Sequence, residues 1–265
     1  MNGRAPSTSL RLNGVVKSYA DSRVLDGCTF DVPAGKFTAL VGPSGCGKTT
    51  IINLIAGYDT PDAGMVTVGE RRVSGPGIDR LVVFQETALF PWKTTLDNVV
   101  FGLKNAGVGT DEARKRAREL LTKFGLGEFG AKYPSQLSGG MQRRAELARA
   151  MINSPEVILF DEAFRGLDTM TRGLMQEYLL SVFEENPVTT LFVTTEIEEA
   201  IYLADRIVVL SGKPTATKET VIVDLDRPRK LEMLSSATFG AIHARIMHML
   251  VEEVKKDFLE PLEVP

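Results

Sequence analysis

Histidine, cysteine and tryptophan are scarce in this 265-residue chain, and the positions of the few histidines and cysteines limit the sites that it can form. The sequence has two histidines, two cysteines and one tryptophan. His243 and His248 both lie near the C-terminus, so a histidine-based centre is excluded from everything that precedes them. Cys28 and Cys46 have no metal-ligand spacing, and we expect them to be reduced thiols rather than a disulfide.

Long apolar runs and an excess of basic charge are also missing. The longest runs, such as Ile207–Leu210, are strand-sized and far shorter than the ~20 residues that cross a bilayer. Residues 1–9 contain one arginine and no apolar core, so we expect no secretory signal and a cytosolic protein. The net charge of −3 does not favour nucleic acid as a partner. No internal repeat is evident, and the length suits one large α/β domain with or without a subdomain.

The segment Gly42–Thr50 has the sequence Gly-Pro-Ser-Gly-Cys-Gly-Lys-Thr-Thr, which fits the pattern G-x-x-x-x-G-K-[ST]. The apolar Phe37–Val41 before it is typical of a buried strand, and Ile51–Ala56 after it is typical of a helix. Glycines let the backbone point successive N–H groups at phosphate oxygens, and the helix N-terminus favours the same anion. The pattern predicts nucleotide binding, but alone it leaves open a kinase, a GTPase, a motor or a transport ATPase.

Individual side chains of this phosphate loop have predictable tasks. Lys48 can reach the β- and γ-phosphates, and the Thr49 hydroxyl can bind Mg²⁺. The residues predicted to surround the phosphates are Gly42, Ser44, Gly45, Cys46, Gly47, Lys48, Thr49 and Thr50.

Polar residues follow two further predicted strands. Gln85 follows Leu81–Phe84, and Asp161 and Glu162 follow Val157–Phe160. In an open α/β sheet, ligands bind at the carboxyl ends of the strands. The Gln85 amide could bind Mg²⁺ or the attacking water, with a simple polar strand cap as the alternative. Of the two carboxylates, one can hold Mg²⁺ through water while the other polarises an attacking water.

A second anion site is predicted where Leu137-Ser138-Gly139-Gly140-Met141-Gln142 opens a helix that runs to Met151. Ser138 is a natural N-cap, and the two glycines leave bare N–H groups at the positive end of the helix. A capped helix without a ligand is the alternative, although two glycines are costly for a cap alone. Tyr19, in a predicted polar loop, could stack on adenine or be a partly exposed hairpin aromatic.

Strands alternate with helices through the core, which predicts a largely parallel sheet covered on both faces. Before it, short antiparallel strands are predicted at 10–12, 14–19 and 24–32. Thr110 is predicted to cap a helix over 111–124, and Leu89–Trp92 to form an exposed aromatic cluster. Later elements are predicted as helices over 169–185 and 238–258 and a strand over 220–225.

In chain order, the phosphate loop, Gln85, the 137–142 segment, Asp161-Glu162 and Leu167-Asp168 resemble the ATP-binding subunits of ABC transporters. The resemblance covers nearly the whole chain from about residue 10. Residues 75–80, 84–85 and 89–92 are more narrowly similar to the nitrate, sulfonate and taurine import group. The resemblance implies an α/β fold: a P-loop NTPase core with a mostly parallel sheet, an antiparallel β subdomain and a helical subdomain. The expected divisions are 1–86, 87–155 (helical), 156–235 and 236–265.

The same resemblance implies a role for each motif. Tyr19 would stack on adenine, and Gln85 would sense the γ-phosphate and touch the permease. Ser138, Gly139, Gly140 and Gln142 would clamp the ATP of a second subunit in a head-to-tail dimer. Asp161 would bind Mg²⁺ through water, and Glu162 would orient the hydrolytic water. The cluster at Leu89–Trp92 would dock a helix of the membrane permease.

The implied function is import of a small anion, such as nitrate or a sulfonate, driven by ATP with Mg²⁺. Implied partners are an integral-membrane permease, a second ATP-binding subunit and, indirectly, a solute-binding protein; nucleic acid is not expected. The expected location is the cytoplasmic face of the cell membrane. An ABC-type ATPase acting on DNA or ribosomes would need a coiled-coil insertion or a second ATP domain, for which this length has no room.

Three positions depart from the family pattern. Thr195 follows Thr194 where similar proteins have a catalytic histidine, Ala163 replaces a proline, and Arg165 replaces a small residue. A threonine hydroxyl can neither carry positive charge nor extend as far as an imidazole. The chain's own ATP site is therefore hypothesised to be slow, which makes a catalytically weak, regulatory half of a heterodimer the alternative function. Water or Glu196 could also substitute for the histidine.

Overall fold

The computed structural model describes residues 8–259, with side chains as far as residue 256. The strands in this range are β1 (Leu10–Tyr19), β2 (Ser22–Val32), β3 (Phe37–Val41), β4 (Ala63–Val68), β5 (Arg71–Arg72), β6 (Arg80–Val83), β7 (Val157–Asp161), β8 (Thr189–Val193), β9 (Arg206–Leu210) and β10 (Thr217–Ile222). The helices are α1 (Lys48–Ala56), α2 (Thr95–Asn105), α3 (Thr110–Lys123), α4 (Gly139–Met151), α5 (Thr169–Glu185), α6 (Ile197–Leu203) and α7 (Ala237–Leu259).

A six-stranded sheet with the order β10-β9-β3-β8-β7-β6 forms the centre of the molecule. All neighbours pair in parallel except β10, which runs antiparallel to β9 at one edge. The strands β3, β7 and β8 are buried along their whole length. Continuous burial is what a parallel sheet covered on both faces requires, so the predicted mostly parallel α/β core is confirmed.

Two hydrophobic cores lie on opposite faces of this sheet, and β3 contributes to both. Phe37 and Ala39 belong to one core, whereas Leu40 belongs to the other, as the alternation of side chains along a strand requires. Phe192 of β8 packs its ring 5.9 Å from the ring of Phe37 and 5.4 Å from that of Phe160. Ile51 on α1 belongs to the opposite core. The two cores fix the sheet edge where the polar motifs follow β3, β7 and β8.

A second, antiparallel sheet has the order β2-β1-β4-β5. The predicted separate strands at 10–12 and 14–19 are wrong, because β1 is one strand with a bulge. Gly14 has a φ of 58°, and the pairing register shifts between Leu12 and Val15. The Gly14 N–H donates to the Thr29 hydroxyl at 2.8 Å, which closes the bulge. Tyr19 is consequently the last residue of β1 rather than part of a loop.

Helices α2, α3 and α4 separate β6 from β7 along the chain. The predicted cap at Thr110 is wrong: Thr110 is already helical, and Gly109 precedes the helix without a side-chain cap. Leu89 is buried, so only part of the predicted exposed cluster at 89–92 lies at the surface, including Trp92. The buried Asn98 side chain holds the backbone of this segment against α2. It accepts from the Phe90 N–H at 2.8 Å and donates to the Phe90 carbonyl at 3.1 Å.

Other helix and strand ends differ from the predicted ones, in one case because polar residues extend an element beyond its apolar run. Helix α1 begins at Lys48, three residues before the apolar run that predicted it, because its first turn is Lys-Thr-Thr. Strand β10 ends at Ile222 rather than Leu225, and most of its residues are half-buried or exposed, as expected at the edge of the sheet. The helices predicted over 139–151 and 169–185 are confirmed. None of the helices in the described range is both long and apolar enough to cross a membrane.

Candidate nucleotide-binding site

The phosphate loop runs from the end of β3 into α1, and its tight curl depends on glycine. Gly45 and Gly47 have φ values of 75° and 108°. A Cβ at Gly47 would lie 2.7 Å from a methyl carbon of Val24, and one at Gly42 would lie 2.9 Å from the Cys46 sulfur. Cys46 is buried and has no disulfide bond. The glycines therefore permit both the curl and the close packing beneath it.

Lys48 lies at the base of this loop and is buried. Its Nζ donates to the carbonyls of Gly42 at 3.0 Å and Pro43 at 2.9 Å. These two bonds place a positive charge against a loop of backbone N–H groups at the start of a helix. That combination suits a polyphosphate, because both the charge and the helix dipole favour an anion. Ser44 and Thr49 are exposed at the same loop.

Asp161 ends β7, and its carboxyl group lies near the Thr49 side chain. Burial raises the pKa of Asp161 above its ordinary value; neighbouring Glu162 adds to the rise, whereas Thr49 and Lys48 oppose it. A hydroxyl and a carboxylate beside a phosphate loop are the hard oxygen donors that suit Mg²⁺. The residues present therefore fit a nucleotide with a bound magnesium ion.

Glu162 follows Asp161 with an unusual backbone, since its φ of 48° lies in the left-handed region. Its N–H donates to the Val193 carbonyl at 2.9 Å, and its own carbonyl accepts from the Arg165 N–H at 3.0 Å. The Glu162 carboxylate also accepts from the Arg165 guanidinium at 2.6 Å. Residue 165 was notable in the sequence only as a departure from a family pattern, and this ion pair was not predicted.

The segment after β8 brings Thr195 to the same edge, because β8 pairs with both β3 and β7. Thr195 is exposed. The preceding Thr194 is buried; its hydroxyl donates to Glu199 at 2.6 Å and accepts from the Glu196 N–H at 3.0 Å. Gln176 donates to the other Glu199 oxygen at 2.9 Å. Burial raises the pKa of Glu199, and this network, which the sequence did not predict, fixes the backbone on both sides of Thr195.

Gln85 lies two residues beyond β6 and is exposed. Its carbonyl and that of Phe84 both accept from the Arg143 guanidinium, which also pairs with Glu146 at 2.6 Å. Burial raises the pKa of Glu146, and the Arg143 charge opposes that rise. Arg143 and Glu146 lie on α4, so this buried pair ties the segment containing Gln85 to the helix that begins after Ser138.

Ser138 caps α4 as predicted, since its hydroxyl accepts from the Met141 N–H at 3.3 Å. Ser138, Gly139 and Gly140 line an open cleft of about 610 Å³ together with Gly166, Leu167 and Asp168. No residue of the phosphate loop lines this cleft. The Gln142 amide nitrogen donates to the carbonyls of Pro134 at 2.9 Å and Leu137 at 3.2 Å, which braces the start of the helix.

Tyr19 lies beside the phosphate-loop helix and keeps part of its ring exposed. Its hydroxyl donates to Asp59 at 2.7 Å and lies near the Thr50 side chain. The Lys17 ammonium lies 5.1 Å from the ring centroid and pairs with Asp59 at 2.7 Å. These contacts hold the ring at the edge of the site, where an aromatic face is available for stacking.

Comparisons with known proteins agree with this geometry. The sequence model of the family described as ABC transporter matches residues 25–165. A taurine import ATP-binding protein of Chromobacterium violaceum is 46% identical over 197 residues, 74% of this chain and 76% of that protein. An aliphatic sulfonates import ATP-binding protein of Rhodopseudomonas palustris is 41% identical over 244 residues, 92% of this chain and 83% of that protein.

A solved structure gives the same result for the fold. A dimeric ATP-binding cassette in a post-hydrolysis state, bound to ADP and Pi, superposes with a TM-score of 0.71 at 30% identity. The match covers 82% of this chain and 100% of that chain. With the phosphate loop, the Asp161-Glu162 pair and the glycine-led start of α4 in place, this chain belongs to the ABC transporter family, as an ATP-hydrolysing subunit whose activity is coupled to transport.

Proposed function

We propose that the chain hydrolyses ATP with Mg²⁺ to drive import of a small anion through a separate permease at the cytoplasmic face of the cell membrane. One observation carries the proposal. The phosphate loop, Asp161 and Glu162 meet at one sheet edge, while a second glycine-led helix start at Ser138–Gly140 lines a different cleft. The anionic solute is supported by the relatives, which are named for taurine and sulfonate import.

In this proposal each side chain acts on one part of the nucleotide. The loop N–H groups and Lys48 bind the β- and γ-phosphate oxygens, and Tyr19 stacks on the base. Thr49, Asp161 through water, and the exposed Gln85 amide would hold Mg²⁺, and the ion would neutralise phosphate charge. Glu162 accepts a proton from the water whose oxygen attacks the γ-phosphorus as the bond to ADP breaks.

The second cleft is assigned to another subunit. Ser138, Gly139 and Gly140 leave N–H groups at the start of a helix, which favours an anion. Because the phosphate loop of the same chain does not line this cleft, the anion is the γ-phosphate of ATP held by a second ATP-binding subunit in a head-to-tail dimer. The dimeric cassette bound to ADP and Pi supports this arrangement.

A separate cleft of about 470 Å³ is assigned to the permease. Its walls are largely apolar and come from β6, α2 and α4, with Ile78, Leu81, Phe90 and Phe101 among the lining residues. The exposed Trp92 packs its ring 5.6 Å from that of Phe90 at the edge of the cleft. An apolar groove between helices, with an aromatic residue beside it, fits an amphipathic helix of a partner.

Two experiments test the proposal: co-purification with a membrane protein, and a glutamate substitution in the apolar cleft. We expect the tagged chain, isolated from detergent-solubilised membranes, to bring with it an integral-membrane protein identifiable by mass spectrometry. Ile78→Glu should weaken that complex about 10-fold or more, because docking would bury an unpaired carboxylate. The measurement is the dissociation constant for the purified membrane partner.

Ile222→Glu is the matched control, since Ile222 is 59% exposed on the edge strand β10 and Ile78 is 82% exposed. Both variants should keep the wild-type Tm, and only Ile78→Glu should lose the partner. Equal weakening by both variants would show that the groove is not the docking surface. If no membrane protein accompanies the wild-type chain, the importer proposal itself fails.

A second candidate function is favoured by Thr195. A chain whose own site lacks a cationic donor at this position would hydrolyse ATP slowly and serve as the regulatory half of a heterodimer, while its Ser138 completes the site of a different partner. Exposure of Thr195 at the sheet edge supports this candidate, whereas the intact Glu162 favours the catalytic one.

A further inference from the structure

The Glu162 carboxylate is held by a side chain from its own turn. The Arg165 guanidinium donates to Glu162 Oε2 at 2.6 Å. The turn between them is closed by the Arg165 N–H, which donates to the Glu162 carbonyl at 3.0 Å, and it forces Glu162 to a φ of 48°. One of the two carboxylate oxygens is therefore paired with the Arg165 guanidinium and is not free to accept from an attacking water.

The two partners differ greatly in exposure. The side chain of Arg165 is 62% exposed, whereas that of Glu162 is 15% exposed. The guanidinium offers five N–H donors in total, so an exposed arginine can turn to another acceptor without leaving its own charge buried. Glu162 lacks this freedom, because its backbone is also bonded to Val193 on β8 at 2.9 Å. When the pair opens, it is therefore the arginine that moves.

The residues that follow Arg165 belong to the cleft assigned above to a second subunit. Gly166, Leu167 and Asp168 line it together with Ser138 and its neighbours. The Asp168 carboxylate caps α5 by accepting from the Thr171 N–H at 3.0 Å, so the far end of this segment is anchored. Arg165 immediately precedes this lining segment and is exposed, so a partner that fills the cleft comes close to the guanidinium.

We propose that Arg165 is a positioning residue that restrains Glu162 in the single subunit, and that contact with a second subunit draws the guanidinium away and frees the carboxylate for the attacking water. The inference rests on the proposed function, since it assigns to Glu162 the task of accepting the water's proton. Beyond that function, the Arg165–Glu162 pair would couple hydrolysis to pairing of the two subunits. This coupling depends on an arginine at a position where similar proteins have a small residue.

Arg165→Ala tests this device directly. We expect the variant, assayed at a concentration where the chain is monomeric, to hydrolyse ATP about two- to five-fold faster than wild type, the effect of releasing one partly exposed ion pair. The KM for ATP should stay unchanged, because the hydrogen bonds and the ion pair of Arg165 go to Glu162 and not to the phosphate loop. Arg165→Lys should restore the slower rate in part, since it keeps the charge but loses the planar fork.

Ionic strength supplies an independent readout on the unaltered protein. Salt screens an exposed pair, so the monomeric wild-type rate should rise relative to that of Arg165→Ala between about 0.05 M and 0.5 M salt. The double variant Glu162→Gln/Arg165→Ala should lose the gain, because the arginine acts only through that carboxylate. A merely structural arginine would lower Tm and give no salt-dependent rate.

Lys256→Ala is the matched control. Lys256 pairs with Glu253 on α7 at the same spacing of three residues and at 2.7 Å, with side-chain exposures of 64% and 6%. Its removal should leave the rate unchanged. A rate for Arg165→Ala that is equal to or below wild type at unchanged Tm would overturn the inference. If wild-type chain neither binds nor hydrolyses ATP in any assembly, the proposed function has failed instead.

Discussion

ATP hydrolysis by the Glu162→Gln variant is expected to fall by about 10²–10³-fold, while ATP binding remains. An amide keeps the size and the hydrogen-bonding reach of the side chain, but it cannot take a proton from water. The phosphate-binding residues, including Lys48 with its bonds to Gly42 and Pro43, are unaffected. The measurements are steady-state phosphate release and the dissociation constant of ATP for the same purified preparation.

Glu198→Gln is the control for this experiment. Glu198 lies in the first turn of α6, directly after the β8 edge segment, and it is exposed. Glu198→Gln removes one negative charge, as Glu162→Gln does, but it leaves Glu162 intact. ATP hydrolysis at the wild-type rate is therefore expected. A Glu162→Gln variant that hydrolyses ATP at the wild-type rate would remove Glu162 from the reaction and leave only its part in the turn.

The sequence predicted the elements whose pattern is complete within a few residues. Strand β7 is an uninterrupted apolar run that ends in a carboxylate, and the glycine-rich loop after β3 needs no distant partner to be identified. The single strand β1 escaped prediction because Gly14 interrupts its alternation, and only the cross-strand bond from Gly14 to Thr29 shows that pairing continues. The local sequence pattern is therefore sufficient to predict an element when no residue in it departs from regular strand or helix geometry.

The site was predictable as a set of motifs but not as a set of contacts. Arg143 bonds to the carbonyl of Gln85 from 58 residues away, and no spacing rule connects them. The pair between Glu162 and Arg165 is close in sequence, yet it exists only because the backbone at Glu162 turns left-handed where β7 meets β8. These contacts depend on tertiary structure, which explains why the residues were identified and their restraints were not.

The largest gain of activity is expected from Thr195→His. Strand β8 lies beside β3, with Val193 paired to Leu40, so residue 195 is close along the sheet edge to the phosphate loop. An imidazole there can donate to the γ-phosphate as negative charge develops, which a threonine hydroxyl is too short to do. Because removing one such donor costs about 10²–10³-fold in kcat, we expect a rise of the same order. The measurement is the steady-state ATPase rate of the chain with its own second copy.

Glu196→His places the same imidazole one residue further along, and it should leave the rate near that of wild type. Each variant adds one imidazole, and Glu196→His also removes one negative charge. A rise confined to Thr195→His therefore isolates the position, because a less negative site edge alone does not produce it. The backbone around residue 195 is fixed in both by the bonds of Thr194 to Glu199 and to the Glu196 N–H, which a side-chain change at 195 or 196 leaves in place. A wild-type homodimer that already turns over as fast as Thr195→His would refute the slow-site hypothesis, and with it the reason to assign this chain to the regulatory half of a heterodimer.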